Sequence, residues 1–249
     1  MNEVIVSIVM PAYNCERFIG QAVESVLSQT MKELELIVVI DSSKDRTEDV
    51  VKRYTEDSRV SYIVNEKNLG VAESRNRGVS LAKGKYVAFL DADDYWLPNK
   101  LEMQTDLMEK KEAVLSSTAR ELMDEQGKLT GKCIPIKEEI TYKQLLCGNI
   151  LNTSGVMVLT EVAREFPMKQ DDLHEDYITW LYILKKYGIA YGINQPLLKY
   201  RVMQGSKSGN KLKSAKMTFG VYRAIGLNVF QSVYYFIQYA VRGVLKYLS

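Results

Sequence analysis

Two apolar periods alternate across the first ninety residues, and no other feature constrains the fold of this chain as much. Short apolar runs, Val4 to Met10, Leu34 to Ile40, Val60 to Val64 and Tyr86 to Leu90, read as strands, the last of them buried on both faces. Helical spacing takes over between them. It runs through Phe18, Ile19, Ala22, Val23, Val26 and Leu27, then Val50, Val51 and Tyr54, then Ala72, Arg75, Val79 and Ala82. Asp45 with Glu48 three residues on reads as a capping box for the second helix, and Gly84 as the stop of the third. Units in this order predict an α/β fold built on a doubly wound, mostly parallel sheet. The second half is less regular: Ala113 to Ala119 and Gly155 to Leu159 read as strands, Asp176 to Tyr187 as a helix.

The fourth strand ends abruptly in Asp91-Ala92-Asp93-Asp94. Carboxyl ends of strands are where open α/β sheets bind ligands. Three acids within four residues repel one another unless something offsets them, and hard divalent ions take one or two carboxylates plus substrate phosphates. The stretch reads as a Mg²⁺ or Mn²⁺ site for a diphosphate, with a solvated acidic turn before a helix as the alternative.

Three more strand-end loops carry polar groups able to meet the same ligand: Pro11-Ala12-Tyr13-Asn14, Asp41-Ser42-Ser43-Lys44-Asp45, and Asn65 to Gly70, which includes Asn68. A carboxylate at Asp41 accepts from the N3–H of uracil or thymine but meets a bare acceptor on cytosine. Read alone, Asp41 fits a turn or N-cap equally well. Tyr13 can stack on a base or pack beneath it. Arg75 either reaches the ligand or pairs with Glu73 or Asp91. Trp96 and Trp180 fit an acceptor-stacking surface or the core.

At 249 residues and 46% hydrophobic content the chain can bury a sizeable core. Cys15, Cys133 and Cys147 show no paired spacing, which argues for a reducing compartment without a disulfide framework or zinc site. No signal peptide is visible ahead of the first strand. A net charge of +2 hides an asymmetry. From Arg201 onward there are eight Lys or Arg and no acid, leaving 25 bases against 31 acids in the remainder. That basic end suits a polyanion or an anionic membrane.

Pro11-Ala12-Tyr13-Asn14, Asp41-Ser42-Ser43-Lys44-Asp45, Asn68-Leu69-Gly70-Val71-Ala72 with Arg75-Asn76, Asp91-Ala92-Asp93-Asp94 and Glu175-Asp176 together resemble family 2 glycosyltransferases of the GT-A fold. The likeness spans about residues 4 to 205. It implies an inverting, metal-dependent enzyme that moves one sugar from a UDP-sugar to an oligosaccharide acceptor, lipid-linked on the added evidence of the tail. The expected setting is bacterial surface polysaccharide (O-antigen or capsule) synthesis. Also implied are a nucleotide-binding set of Pro11, Tyr13, Asn14, Asp41, Asn68, Arg75, Asp91, Ala92 and Arg201, a metal ligand at Asp93, and a catalytic base at Asp176. Mg²⁺ or Mn²⁺ is the expected cofactor, and nucleic acid is not an expected partner.

Several positions depart from the family pattern. Ile40 replaces the first acid of Asp-Asp-Gly-Ser, leaving Asp41 to recognise the base alone. Met203 stands where many members place a histidine, so a diphosphate contact falls to Arg201 or Lys207. The Gln-x-x-Arg-Trp motif of processive synthases is absent, which favours one addition per encounter. Two other readings are weighed. A sugar nucleotidyltransferase would need a Gly-rich loop after the first strand, and Pro11-Ala12-Tyr13-Asn14 is not one. A catalytically silent membrane-docking scaffold of the same fold would have little use for the acids.

The domains expected are a catalytic unit over 1–205, with a nucleotide-sugar half to about 110 and an acceptor half from 111, and a basic amphipathic helical tail over 206–249. Ala224 to Val241 has no charge but includes Asn228, Gln231, Ser232 and Gln238, which suits an interfacial helix or subunit packing better than a membrane span. The expected location is cytoplasmic, peripheral on the inner face of the plasma membrane, with a second copy of the chain as the other partner for the tail.

Overall fold

The computed structural model describes residues 3–169, 172–203 and 211–248, with side chains in the last segment described for 214–241. The first half runs β1 (Val6–Ala12), α1 (Ile19–Leu27), β2 (Leu34–Ile40), α2 (Thr47–Lys52), β3 (Val60–Val64), α3 (Val71–Leu81) and β4 (Tyr86–Phe89). Next come β5 (Tyr95–Trp96), α4 (Lys100–Lys111), β6 (Leu115–Met123), β7 (Leu129–Ile134), β8 (Glu139–Thr141), α5 (Tyr142–Leu146) and β9 (Met157–Leu159). The chain ends with α6 (Thr160–Glu165), α7 (Glu175–Tyr187), β10 (Ile189–Arg201), α8 (Lys211–Ala224) and α9 (Val229–Leu248).

One sheet orders the strands β3-β2-β1-β4-β9-β6-β10-β5, with β7 on β6 and β8 on β10. The first four are mutually parallel; β1, β2 and β4 are buried on both faces, while β3 at the edge is largely half-exposed. Successive residues serve opposite faces. Val9, Val87 and Phe89 enter one core beneath α3, α6 and α7, while Ile8, Met10, Ala88 and Leu90 enter another beneath α1 and α4. The order β3-β2-β1-β4 reverses direction at β1, so the carboxyl ends of β1 and β4 flank a switch point. β9 runs antiparallel to both β4 and β6 and joins the two halves into a mixed sheet.

Some local expectations need correction. Asp45 accepts the Thr47 N–H at 3.0 Å and the Glu16 N–H at 3.0 Å, but Glu48 pairs with Lys52, so no reciprocal box forms. Gly84 is not the stop of α3, whose C-cap is Ala82. It is needed because a Cβ there would lie 2.8 Å from the Ile5 carbonyl oxygen. Part of the segment after residue 205 also enters the core. Val221 and Tyr222 of α8, with Ile225 just beyond its end, are buried in the core with α5 and α7, and the Tyr222 hydroxyl donates to the Leu146 carbonyl at 2.8 Å. Burying side chains of this size contributes about 1.5–3 kcal/mol each, enough to make α8 part of the catalytic body.

Candidate active site

A cleft of about 800 Å³ opens at the switch point, and Pro11, Tyr13, Asn14, Asp41, Asn68, Asp91, Ala92 and Asp93 all line it. Backbone hydrogen bonds set its walls. Asn14, at φ 48°, accepts the Lys44 N–H through Oδ1 at 2.8 Å, and its own N–H donates to Ser43 Oγ at 3.1 Å. These bonds fasten the loop after β1 to the loop after β2. Asp41 is buried; its Oδ1 accepts from Asn65 Nδ2 at 2.7 Å and the Leu69 N–H at 2.8 Å, its Oδ2 from the Gly70 N–H at 2.9 Å. An ionised carboxylate offers about four acceptor positions, so three donors leave one for a ligand. Gly70, at φ 88°, supplies the left-handed turn that brings its N–H to Asp41 at the start of α3. Tyr13 stands half exposed at the rim with its ring available for stacking.

The acidic loop after β4 is held from two sides. Asp91 Oδ1 accepts from Arg75 Nη2 at 2.7 Å, and the Asp91 N–H donates to Ser154 Oγ at 3.1 Å. Asp94 Oδ1 accepts the Arg201 N–H at 2.8 Å, and Arg201 Nε donates to the Asp93 carbonyl at 2.8 Å. Burial, reinforced by the charge on Asp91, pushes the Asp93 carboxyl up to about 6. Asp94 is raised well above the usual carboxylate range, by burial first and then by Asp93 and Asp91.

Two residues of the expected nucleotide set lie outside the cleft wall. Arg75 is buried on α3 with Nη1 on Glu175 and Nη2 on Asp91, so its fork is taken up by the protein. Burial alone would lower the guanidinium, but the two carboxylates outweigh it and raise it. Arg201 likewise spends its donors internally: Nη1 on the Glu125 carbonyl at 3.1 Å and Nη2 on Gln21 Oε1 at 2.8 Å, with the guanidinium 4.6 Å from the Phe18 ring centroid. It braces the acidic loop rather than presenting a donor to the cleft. Lys207 lies outside the described residues, and Met203 lines the cleft.

Asp176 is the second residue of α7, with Oδ2 accepting from the Thr153 hydroxyl at 2.8 Å. The next residue, Ser154, holds the Asp91 N–H, so consecutive residues of one 3₁₀ turn touch the acidic motif and the expected base. Glu175 is tied to Asp91 through Arg75 in parallel. Thr153, Ser154 and Glu175 are therefore supporting residues whose partners the sequence does not reveal. His174 contacts Ser214 of α8 through Nε2 and places no side-chain cap on α7. Trp96 and Trp180 are core residues.

Among the described residues, no three His, Cys, Asp or Glu side chains gather as a complete cation cage. The donor set still fits a hard divalent ion. Asp93 is mostly buried and crowded by Asp91, and one or two carboxylates completed by diphosphate oxygens and water is how Mg²⁺ is commonly held.

The cleft and the acidic strand end lie together at the switch point, and sequence relationships identify the family. Residues 7–163 match the model of glycosyl transferase family 2, and the chain belongs to that family. It is 38% identical over 246 residues, 98% of both chains, to TuaG of Bacillus subtilis (strain 168), a glycosyltransferase named for teichuronic acid biosynthesis. It is 36% identical, over 99% of this chain and 96% of the relative, to WfgD of Escherichia coli, named a UDP-Glc:alpha-D-GlcNAc-diphosphoundecaprenol beta-1,3-glucosyltransferase. Among solved structures, Staphylococcus aureus TarS 1-349 in complex with UDP-GlcNAc superposes with a TM-score of 0.75 at 18% identity, over 95% of this chain and 71% of that one. The fold is accordingly GT-A, with a helical C-terminal extension. No helix among the described residues is long and apolar enough to cross a membrane.

Proposed function

We propose that this protein is an inverting glycosyltransferase that moves one sugar from a UDP-sugar to a lipid-linked saccharide during bacterial surface polysaccharide assembly. The observation that carries the reading is the bridge Asp91–Ser154–Thr153–Asp176, which ties the diphosphate-binding loop to a carboxylate able to take a proton. WfgD, by its name, takes UDP-Glc and a diphosphoundecaprenol-linked acceptor, and TarS was solved with UDP-GlcNAc. The name of WfgD supports a donor and an acceptor of those classes here, and the TarS complex supports the donor alone.

Tyr13 stacks on the uracil, and Asp41 accepts its N3–H through the position its three internal donors leave open. Asp91 serves the ribose, and Asp93 holds Mg²⁺ or Mn²⁺. When bound, such an ion supplies positive charge against the departing diphosphate, an effect worth several kcal/mol. Asp176 takes the proton of the acceptor hydroxyl as it attacks the anomeric carbon from the face opposite the diphosphate. General-base help of this kind is typically worth about 10²–10⁴ in rate. A lipid-linked acceptor and a basic C-terminal end support a location at the anionic inner face of the plasma membrane.

A panel of nucleotide sugars incubated with the protein, with and without Mg²⁺, tests the reading through slow hydrolysis. UDP release that stops without the ion is expected. Proton NMR should show the freed sugar first in the anomeric configuration opposite to the donor's. Retention would overturn direct displacement, and turnover of only non-uridine donors would overturn the UDP assignment.

A further inference from the structure

α9 is apolar on two sides, and the fold uses only one. Its inner side packs on α8, with Phe236 against Phe219 at 5.8 Å and Tyr235 against Tyr222 at 6.3 Å between ring centroids. Tyr239 on the same side faces the backbone at Gly148. The outer side carries Phe230, Val233, Tyr234, Ile237 and Val241, a ridge at i, i+3, i+4, i+7 and i+11. Phe230 is 86% exposed, and the other four are between 43% and 58% exposed. Ordinary solvation leaves single apolar residues in water, whereas a contiguous ridge marks a surface that something covers.

Charge identifies the cover. From Val202 to Ser249 the chain has seven Lys or Arg and no acid, and Lys216 and Arg223 stand exposed on the helix that carries α9. Pairing two copies through this ridge would bring two acid-free segments together with no counter-charge. An anionic lipid surface neutralises the bases and takes up the ridge in one contact. A spanning placement is ruled out for the described helices by their hydropathy.

We infer that the outer ridge of α9 is an in-plane docking face for an anionic bilayer, with Phe230 and Ile237 seated in the acyl boundary. The inference rests on the reading that the acceptor is carried by a lipid. It adds which side of the molecule meets the membrane. α8, buried in the catalytic body, fixes α9 to the acceptor half, so docking sets the height of the Asp176 site above the bilayer.

Flotation of the full chain with phosphatidylcholine vesicles, with and without phosphatidylglycerol, is the test, run beside a Phe230→Ser/Ile237→Ser variant. The full chain should float with the anionic vesicles at low salt, with much less binding at high salt or to neutral lipid. The variant should partition about tenfold less while melting like the wild type, because both side chains are exposed. Failure of the full chain to float, or equal flotation of the folded variant, would overturn the inference, as would equal binding to neutral vesicles. A wild-type dimer in sedimentation velocity that the variant converts to monomer would give the ridge to a second copy instead. UDP binding measured without vesicles keeps these outcomes separate from a failure of the transferase reading.

Discussion

Arg75 Nη1 lies 2.9 Å from Glu175 Oε1 in a pair whose side chains are 5% and 9% exposed, and Arg75 Nη2 reaches Asp91 at 2.7 Å. One guanidinium thus joins the acidic motif after β4 to the first residue of α7. Glu175 serves as a fixed counter-ion, and Asp176, bonded to Thr153, is the carboxylate of the pair suited to proton transfer.

Removing one partner of a buried ion pair strands the other. Arg75→Met should therefore lower unfolding stability by about 3–5 kcal/mol, read as a shifted urea midpoint at unchanged slope. Glu175→Gln keeps an acceptor for Nη1 and should cost less. A loss under about 1 kcal/mol for Arg75→Met would mean that the network is not formed in solution.

Asp93 keeps its proton up to about pH 6 because burial and Asp91 disfavour the charged form. A divalent ion needs the carboxylate, so Mg²⁺-dependent UDP affinity should be flat above pH 6 and fall about tenfold per unit below it. Calorimetry from pH 5 to 8 follows this directly. The stability sign is opposite. A folded-state pKa raised above the unfolded 3.8 stabilises the fold below about pH 4, and that share is lost as pH rises through 6. Without metal the wild type should lose roughly 2–3 kcal/mol across that window relative to Asp93→Asn.

Base selection rests on Asp41. UDP should bind at least about tenfold more tightly than CDP, with thymidine diphosphate close to UDP because it shares the imide. In Asp41→Asn the preference should disappear, and stability should drop by about 1–3 kcal/mol because an amide N–H₂ would face the Leu69 or Gly70 N–H. Equal UDP and CDP affinities in the wild type, by calorimetry, would remove Asp41 from the base pocket.

The nucleotide half was readable because its signals are local. β2 and β3 fall on the residues their apolar runs predict, Leu34 to Ile40 and Val60 to Val64, each run dominated by β-branched and other apolar residues. β10 was not anticipated. Its 13 residues interleave Tyr191, Gly192, Asn194, Gln195 and Pro196 with apolar ones, and its pairing with β6 is interrupted by a register shift between Ile193 and Leu198. Motifs name the residues that line the cleft, whereas the internal partners of Arg75 and Arg201 are not legible, because spacing gives a position and not a partner. Only the fold brings Glu175 within reach of Arg75, 100 residues away, or Asp93 within reach of Arg201, 108 residues away. The burial of α8 is hidden by its lysines, which obscure the apolar face carrying Val221 and Tyr222.

The central claim is that Asp176 removes the proton from the attacking hydroxyl. The most direct measurement is the rate of UDP release under saturating UDP-sugar and Mg²⁺ for wild type and Asp176→Asn, with water or saccharide as acceptor. The account predicts donor affinity within a few-fold of wild type and a rate lower by about 10² or more. Release by Asp176→Asn at the wild-type rate would contradict it.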